Sequence, residues 1–377
     1  MRIAADWLAA PAPQTVLALL TGAGYQALVV GGCVRNALMG LPVTDIDIAT
    51  DARPDTVITL AEAAGLRAVA TGIAHGTVTV IVNGEGLEVT TFRRDLDTDG
   101  RHATVAFSTD LAEDAARRDF TMNALYASAD GQVIDPLGGL DDLIARRLRF
   151  VGDPQARIRE DYLRILRFFR FHAQYGDPAQ GLDPEALAAC ASSADGLDLL
   201  SAERITAELR KLLAAPDPAP AVAAMAQSGV LARVLPGAAP RALAPLVHLE
   251  AASPPRWLRR LLALGGQTER LRLTRQDTRN LSRMRDALAA MQPPGELAYR
   301  LGADLATDIT LIRAALFETP LPPDWQDAIA RGASARFPLS ADDLPDLSGA
   351  ALGQALKAAE ARWIASDFRL NKADLLT

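Results

Sequence analysis

The feature that most constrains the fold is a change of pattern near Phe150. Before it, strand-like runs over 26–31, 66–71, 77–82 and 87–92 alternate with helical segments such as 13–23 and 54–64. After it, Ala, Leu and Arg recur at helical spacing, and Pro and Gly interrupt them repeatedly. The sequence therefore predicts an α+β protein, with a mixed sheet and helices over 1–150 and an all-helical remainder.

Composition limits the classes of protein that fit. The chain has 377 residues, 49% of them hydrophobic, which is enough for two or three domains. Its formal net charge of −7 excludes a wholly basic nucleic-acid binder, so a polyanion site must be a local concentration of Arg. Cys33 and Cys190 lie far apart without metal-binding spacing, and the four His form no zinc motif. With no signal peptide and no apolar run of about 18 residues, we predict a cytoplasmic protein with reduced thiols and no membrane contact.

The segment over 31–47, GGCVRNALMGLPVTDID, carries the most chemistry. A Gly pair follows a predicted strand, Arg35 lies on a short helix, and Asp45 and Asp47 lie on the next predicted strand. Residues two apart in a strand share a face, so these carboxylates repel each other unless a divalent cation lies between them. Together the features favour nucleotide chemistry, although each alone also fits a tight turn or a solvated strand end.

Two later motifs carry arginines. RRDFTMNAL over 117–125 offers guanidinium groups to phosphate, or else a surface salt bridge. In EDYLRILRFFRF over 160–171, one arc of a predicted helix is entirely Arg and a separate arc is apolar. Asp161 and Arg164 are one turn apart, close enough to present an acceptor and a donor fork to one planar ligand edge. A solvated, salt-bridged face is the alternative.

Shorter signals predict local structure. Asn83-Gly84 predicts a hairpin turn, and Asp51 is a candidate N-cap for the helix at 54–64. The polar residues 93–107 predict a mobile loop, and Asp110 predicts the start of a helix. DPLGGLDDL over 135–143 predicts a turn followed by an N-capped helix.

Four motifs in this order resemble the class II tRNA nucleotidyltransferase and bacterial poly(A) polymerase family, of the polymerase β-like superfamily: GGCVRNALMG…DID, RRDFTMNAL, DPLGGLDDL and EDYLRILRFFRF. SAERITAELRKLL over 201–213 resembles the next, largely structural, helix of that family. The resemblance covers about 26–213. It implies a nucleotidyltransferase head over 1–150, a helical neck with the base-recognition helix over 151–215, and a tRNA-binding helical body and tail over 216–377.

The resemblance also implies a role for individual residues. Asp45 and Asp47 would hold two Mg²⁺ ions for in-line attack of the primer 3′-hydroxyl, with release of pyrophosphate. Asp161 and Arg164 would act as a protein template for the edge of cytosine or adenine. The remaining nucleotide-binding expectations are Gly32, Arg35 and Arg118 for the triphosphate, Asn123 for the ribose, and Arg167 and Arg170 for orienting the template pair or the phosphates.

Two further positions enter through the resemblance. Glu88 is either a third carboxylate of the site or a solvated strand residue. Asn36 stands where the family usually has Asp, which keeps the shape of the side chain and loses its charge. We expect modest weakening from this change rather than inactivity.

Within the family, compact length and acidic charge favour addition of CCA to the 3′ end of tRNA from CTP and ATP. The alternatives are a poly(A) polymerase, an enzyme that adds only A or only CC, and a non-catalytic RNA-binding module. The Arg-rich segment over 256–285 is a candidate for binding phosphates of the tRNA acceptor arm, or is a set of solvated helical faces. The residues of this segment that we expect to bind tRNA are Arg259, Arg272, Arg275 and Arg279.

Overall fold

A computed structural model describes residues 1–98, 103–250 and 253–377. The chain divides into two compact units. The first contains Met1–Leu212 and Pro220–Val234, and the second contains Leu213–Ala219 and Leu235–Thr377. The predicted α+β class is confirmed, because the described residues hold a mixed sheet followed by helices alone. Within these ranges, no helix combines the length and the hydropathy that a membrane span requires.

The described residues of the first unit hold nine strands: β1 (Ala27–Val30), β2 (Asp47–Thr50), β3 (Arg67–Gly72), β4 (Thr77–Val82), β5 (Glu85–Thr91), β6 (Arg93–Thr98), β7 (Ala103–Phe107), β8 (Tyr126–Ala127) and β9 (Val133–Ile134). Seven form one sheet in the order β3-β4-β5-β2-β1-β8-β9. β2 pairs with β1 antiparallel and with β5 parallel. β1 and β2 therefore lie at the centre of the sheet, and the segments that follow β1 and precede β2 meet at one edge of it.

The helices of the first unit are α1 (Asp6–Ala9), α2 (Pro11–Gly22), α3 (Gly32–Leu38), α4 (Pro54–Ala63), α5 (Leu111–Ala116), α6 (Gly139–Ile144), α7 (Pro154–Glu160), α8 (Leu163–Tyr175), α9 (Pro184–Ser192), α10 (Ala202–Leu213), α11 (Ala219–Gln227) and α12 (Val230–Val234). Short 3₁₀ turns occur at Ile73–His75, Thr121–Asn123 and Ala194–Leu199. α10 and α11 each run one residue across the division between the units.

The helices of the second unit are α13 (Leu243–Leu249), α14 (Trp257–Leu264), α15 (Arg275–Ala290), α16 (Pro294–Leu301), α17 (Ala303–Phe317), α18 (Trp325–Ser334), α19 (Gly349–Ala365) and α20 (Lys372–Leu376). Two 3₁₀ turns, Pro240–Ala242 and Ala341–Asp343, accompany them. One apolar cluster there joins α19 and α20 through buried Trp363 and Leu375.

Several local predictions are confirmed. β4 and β5 form the expected hairpin, and both turn residues adopt positive φ, 52° at Asn83 and 87° at Gly84. Asp110 caps α5 by accepting a hydrogen bond from the Ala112 backbone N–H at 2.8 Å. The turn and helix predicted over 135–143 are present as α6, whose N-cap residue, Gly138, has no capping side chain. Asp135, three residues earlier, accepts hydrogen bonds from the first two backbone N–H groups of the helix.

Three local predictions are wrong. Asp51 does not cap α4, because its carboxylate accepts from the Gln26 backbone N–H at 2.8 Å. Residues 93–107 are not an open loop, since β6 and β7 pair as an antiparallel ribbon; the part of that prediction falling on 99–102 lies outside the described residues. The helix predicted through Asp161 is broken there, because Asp161 has extended φ and ψ between α7 and α8.

An aromatic cluster places α8 against the segment that follows α5. The ring of Phe120 lies tilted against its neighbours, 4.9 Å from Phe150 and 5.2 Å from Phe171, measured between ring centroids. Phe168 lies 5.7 Å from Phe150, and all four rings are buried. Such contacts are among the larger stabilising terms in a core. The cluster therefore holds α8 against Phe120, in the 117–125 motif, and against Phe150.

Candidate active site

Gly31 shapes the turn between β1 and α3. Its φ of 73° and ψ of −119° suit glycine and strain any residue with a side chain. A Cβ at this position would lie 3.4 Å from Nη1 of Arg118. Gly32 is the first residue of α3, and no side chain caps that helix N-terminus. The glycines therefore let a guanidinium approach the backbone at the start of α3.

Arg118 is held in place by two side chains. Its Nε donates to the hydroxyl of Tyr126 at 3.0 Å, and its Nη2 donates to the carboxylate of Asp114 at 2.9 Å. Burial lowers the pKa of Arg118, but Tyr126 and Asp114 outweigh burial and raise it above its ordinary value. Arg118 is thus a fixed cation, and its Nη1 is the nitrogen nearest to Gly31.

Asp45 and Asp47 lie at the entrance to β2. Asp45 is exposed and precedes the strand, which begins at Asp47 rather than before it as predicted. In the β2–β5 pairing, Asp47 is opposite Glu88. Burial raises the pKa of Asp47, the charges of Glu88 and Asp45 raise it further, and the charge of Arg118 opposes them. These carboxylates destabilise one another, which is the condition a divalent cation relieves.

The donor set at Asp45 and Asp47 fits magnesium. Mg²⁺ prefers carboxylate oxygens and is commonly bound by one or two carboxylates together with substrate phosphates. Across residues 1–98, 103–250 and 253–377, no three His, Cys, Asp or Glu side chains gather into a complete metal site. Asp45 and Asp47 could supply part of the coordination of such an ion, and a bound triphosphate could supply the rest.

Arg35 lies in a different environment from the one expected of a phosphate ligand. It is 6% exposed, and each of its three guanidinium nitrogens donates a hydrogen bond within the protein. The acceptors are the side-chain oxygens of Asn36 and Asn123 and the hydroxyl of Tyr175. The guanidinium also lies 4.0 Å from the centroid of the Tyr175 ring. This geometry makes Arg35 a brace between elements rather than an open triphosphate ligand.

Asn123 likewise differs from the expected ribose ligand, because both ends of its amide are in use. Its Oδ1 accepts from Nη1 of Arg35 at 2.5 Å, and its Nδ2 donates to Asp119 at 2.9 Å. Asp119 in turn accepts from Nε of Arg167 at 2.8 Å. Burial raises the pKa of Asp119, but Arg167 and Asn123 outweigh it and hold that pKa at about 2.

The structure brings Asp161 and Arg164 together at the start of α8, each with a separate partner. Asp161 accepts from the Leu163 backbone N–H at 3.1 Å and from Nη2 of Arg204 at 2.7 Å. Arg164 pairs with Glu160 through Nη1, and its Nη2 makes a longer contact of 3.3 Å to the Arg117 carbonyl. Both polar groups are therefore oriented before any ligand binds.

Arg170 lies deeper than the arc of exposed arginines predicted for α8. It is 7% exposed and donates through Nε to Glu208 at 2.5 Å and through Nη1 to Gln174 at 3.0 Å. Its guanidinium lies 4.3 Å from the centroid of Phe171. Arg170 therefore ties α8 to α10, whereas Arg167 is more open.

The predicted tRNA-binding arginines divide into two kinds. Arg272, Arg275 and Arg279 are exposed. Arg259 is 1% exposed and donates to the buried carboxylates of Glu250 at 2.5 Å and Asp308 at 3.2 Å. A guanidinium buried in the second unit does not face solvent, so the inclusion of Arg259 in a phosphate-binding surface is corrected.

Sequence reasoning missed the groups that hold the site residues in place. Tyr175 contacts Arg35 and lies four residues after Phe171, so helical spacing alone puts both rings on one face of α8. Arg204 lies in the SAER segment, which appeared largely structural, and reaches Asp161. Asp114 and Tyr126 lie in ordinary-looking sequence, and no pattern signalled their contact with Arg118.

Comparison with known proteins identifies the family. Residues 27–149 match the family model for the poly A polymerase head domain, and residues 181–241 match the probable RNA and SrmB-binding site of polymerase A. A CCA-adding enzyme of Geobacillus thermodenitrificans is 37% identical over 328 residues, which cover 82% of this chain and 79% of that protein. The chain belongs to the CCA-adding enzyme family.

Other members of the family match over different extents. The human mitochondrial CCA tRNA nucleotidyltransferase 1 is 45% identical over 190 residues, which span half of this chain but only 44% of that protein. The crystal structure of the Bacillus stearothermophilus CCA-adding enzyme in complex with CTP superposes with a TM-score of 0.71 at 29% identity, covering 94% of this chain and 92% of that one. The Thermotoga maritima enzyme complexed with tRNA has a TM-score of 0.72 at 17% identity and covers 100% and 97%, which supports the fold.

Proposed function

We propose that this protein adds CCA to the 3′ end of tRNA from CTP and ATP by metal-assisted nucleotidyl transfer, releasing pyrophosphate. The observation that carries the proposal is the meeting of paired carboxylates, Asp45 and Asp47, with the fixed cation Arg118 beside the Gly31 turn. Nucleotidyl transfer needs both groups: the carboxylates would hold the divalent cations that bind triphosphate oxygens, and Arg118 would offset the negative charge that builds on the departing pyrophosphate. Membership of the CCA-adding enzyme family supports the choice of substrate.

The residues of the chain have separate tasks in this proposal. Asp45 and Asp47 would hold two Mg²⁺ ions, Gly32 would let phosphate approach the backbone, and Arg118 would hold a phosphate oxygen. Bound divalent cations would lower the pKa of the attacking 3′-hydroxyl and neutralise the departing pyrophosphate. Arg35 and Asn123 keep the start of α3 in place instead of contacting the nucleotide.

Selection of the base belongs to the start of α8. Asp161 would accept from an exocyclic amino group, and Arg164 would donate to the ring edge, as carboxylate and guanidinium groups do when they read bases. Nη2 of Arg164 makes the weaker of its contacts, at 3.3 Å, so this nitrogen would turn to the base. Arg167, which Asp119 holds through a hydrogen bond of 2.8 Å, would orient the pair or the phosphates.

One assay tests the proposal against its alternatives. Purified protein receives a tRNA lacking CCA, or a tRNA that already ends in CC, with Mg²⁺ and with CTP, ATP or both. Addition that stops after three nucleotides supports CCA addition, long A tails indicate a poly(A) polymerase, and A-only or CC-only products indicate a partial enzyme. No incorporation by the wild type indicates a non-catalytic module and overturns the proposal.

The role of the carboxylates is tested in the same assay. Asp45→Ala and Asp47→Ala should each lower kcat by at least about a thousandfold, because both members of the pair hold the metals. Asp55→Ala is the matched control, since Asp55 is exposed in the first turn of α4 and also loses one carboxylate. Equal activity of the site variants and the control would contradict the assignment.

A further inference from the structure

Asn36 uses both ends of its side-chain amide. Its Oδ1 accepts hydrogen bonds from Nε of Arg35 at 3.1 Å and from Nη2 of Arg35 at 2.8 Å. Its Nδ2 donates to the carbonyl of Pro42 at 2.8 Å. Pro42 lies in the segment that runs from the end of α3 to Asp45 and Asp47. One side chain thus touches both the brace residue Arg35 and the segment that delivers the carboxylates.

From Arg35 the hydrogen bonds continue to α8. Nη1 of Arg35 donates to Asn123, the amide of Asn123 donates to Asp119, and Asp119 accepts from Arg167 on α8. Arg35 also reaches α8 directly through the hydroxyl of Tyr175 at 2.9 Å. Arg35, Asn123 and Asp119 are each less than 10% exposed, so water competes little for these bonds. A connected set of polar groups therefore runs from Pro42 to the helix assigned to base recognition.

We infer that Asn36 is a positioning residue that ties the segment leading to Asp45 and Asp47 to Arg35 and, through Arg35, to α8. The inference rests on the proposed function, because it assigns the metal-binding carboxylates to one end of the tie and base recognition to the other. It concerns the side-chain amide alone. The Leu41 backbone N–H also donates to the Asn36 carbonyl, at 2.8 Å, and no substitution at 36 removes that bond.

An amide suits this position because it offers an acceptor and a donor at once. An ionised carboxylate of the same shape has two acceptors and no donor. Asp at 36 would still accept hydrogen bonds from Arg35, and these would be stronger because they are charge-assisted. It would also place a carboxylate oxygen next to the Pro42 carbonyl oxygen, which repels it. Asn36→Asp therefore separates the two ends of the tie: it retains the link to Arg35 and breaks the link to Pro42. Asn36→Ala breaks both.

The variants are compared first by hydrogen exchange in the protein without ligands. Loss of one neutral hydrogen bond changes a local opening equilibrium about fivefold. Asn36→Asp should accelerate exchange over 39–46 by about that factor and leave α8 at the wild-type rate. Asn36→Ala should accelerate both. Asn83→Asp, the same chemical change at an exposed turn residue, should accelerate neither.

Kinetics then connect the tie to the site. The family usually has Asp at this position, and that pattern alone predicts that Asn36 is the weaker residue; the bond to Pro42 reverses the expectation for this chain. Asn36→Asp should lower kcat about threefold to tenfold and leave the preference for CTP over UTP unchanged, since α8 keeps its brace. Asn36→Ala should lower kcat and also relax that preference. Wild-type exchange over 39–46 in Asn36→Asp, or equal behaviour of the two variants in both measurements, would overturn the inference. If the wild type adds no nucleotide to tRNA, the proposed function fails, and the exchange measurement still decides whether the tie exists.

Discussion

Nη2 of Arg204 donates a hydrogen bond of 2.7 Å to the carboxylate of Asp161, so a residue of α10 orients the acceptor at the start of α8. The second oxygen of that carboxylate accepts from the Leu163 backbone N–H. With both oxygens held, Asp161 presents one fixed edge. Selectivity between bases depends on such fixed acceptors, because a mobile carboxylate satisfies a wrong base as readily as a correct one.

We therefore expect Arg204→Ala to relax the choice of nucleotide. The ratio of kcat/KM for CTP to that for UTP should fall about tenfold, the equivalent of one lost orienting hydrogen bond to a charged group. The apparent affinity for the triphosphate should change little, because Arg118 and the carboxylates are untouched. Asp161→Ala should show the same pattern more strongly. Lys211→Ala, an exposed cation on the same helix, is the control, and unchanged selectivity in Arg204→Ala would contradict the orienting role.

Gly31→Ala should harm both stability and phosphate binding. Placing a side chain at φ 73° and ψ −119° strains the backbone by about 1–3 kcal/mol. The new Cβ would also meet Nη1 of Arg118 at 3.4 Å. We expect urea midpoints to fall and the KM for CTP to rise about tenfold. Gly24→Ala is the matched control, because Gly24 has φ 87° with open space around it. An equal rise in KM in both variants would mean that strain alone accounts for the effect.

Acid should destabilise the protein partly through Asp119. Its pKa of about 2 in the folded chain lies below the ordinary value of 3.8, so ionised Asp119 stabilises the fold above pH 3.8. That contribution is lost as the pH falls through 2, and it amounts to about 2 kcal/mol. Urea unfolding of wild type and Asp119→Asn from pH 6 to pH 2 measures it. The wild-type free energy of unfolding should fall more steeply, and parallel profiles would contradict the prediction.

The sequence predicted those features that depend on contacts between residues close together along the chain. The hairpin at Asn83 and the cap at Asp110 follow from residues a few positions apart, and both were predicted correctly. The prediction of one continuous helix over 160–171 failed at Asp161, because no local signal marked the break between α7 and α8.

The roles that sequence could not assign depend on partners far along the chain. Arg35 looked like a phosphate ligand in its own motif, yet its guanidinium is occupied by Asn123 and Tyr175, 88 and 140 residues away. Arg259 looked like part of a cationic surface because its neighbours are arginines. Only the fold shows that Glu250 and Asp308 enclose it. Hydrophobic periodicity predicts which face of a helix or strand is apolar. It does not predict which distant polar group an arginine on that element will contact.

The exposed arginines of the second unit should carry tRNA affinity. Replacing Arg272, Arg275 and Arg279 together with Glu should weaken binding and lower the slope of log affinity against log salt by about 2, because phosphate contacts release counterions. Reversing Arg331, Arg336 and Arg369 provides a control with the same change in charge at other exposed positions. Unchanged affinity and salt dependence in the first variant would contradict the assignment.

Glu250 should matter for stability and not for direct tRNA contact. It accepts from Arg259 at 2.5 Å and from Nε of Arg260 at 2.9 Å, and all three residues are at most 3% exposed. Glu250→Gln would leave two buried guanidinium groups without their shared counter-charge, at a cost of about 3–5 kcal/mol. Urea unfolding should show this loss, while tRNA affinity measured well below the unfolding transition should keep its wild-type salt dependence. Burial and pairing keep Arg259 and Arg260 away from tRNA. A changed slope of log tRNA affinity against log salt in folded Glu250→Gln would therefore contradict the prediction, because it would mean that these arginines contact phosphates.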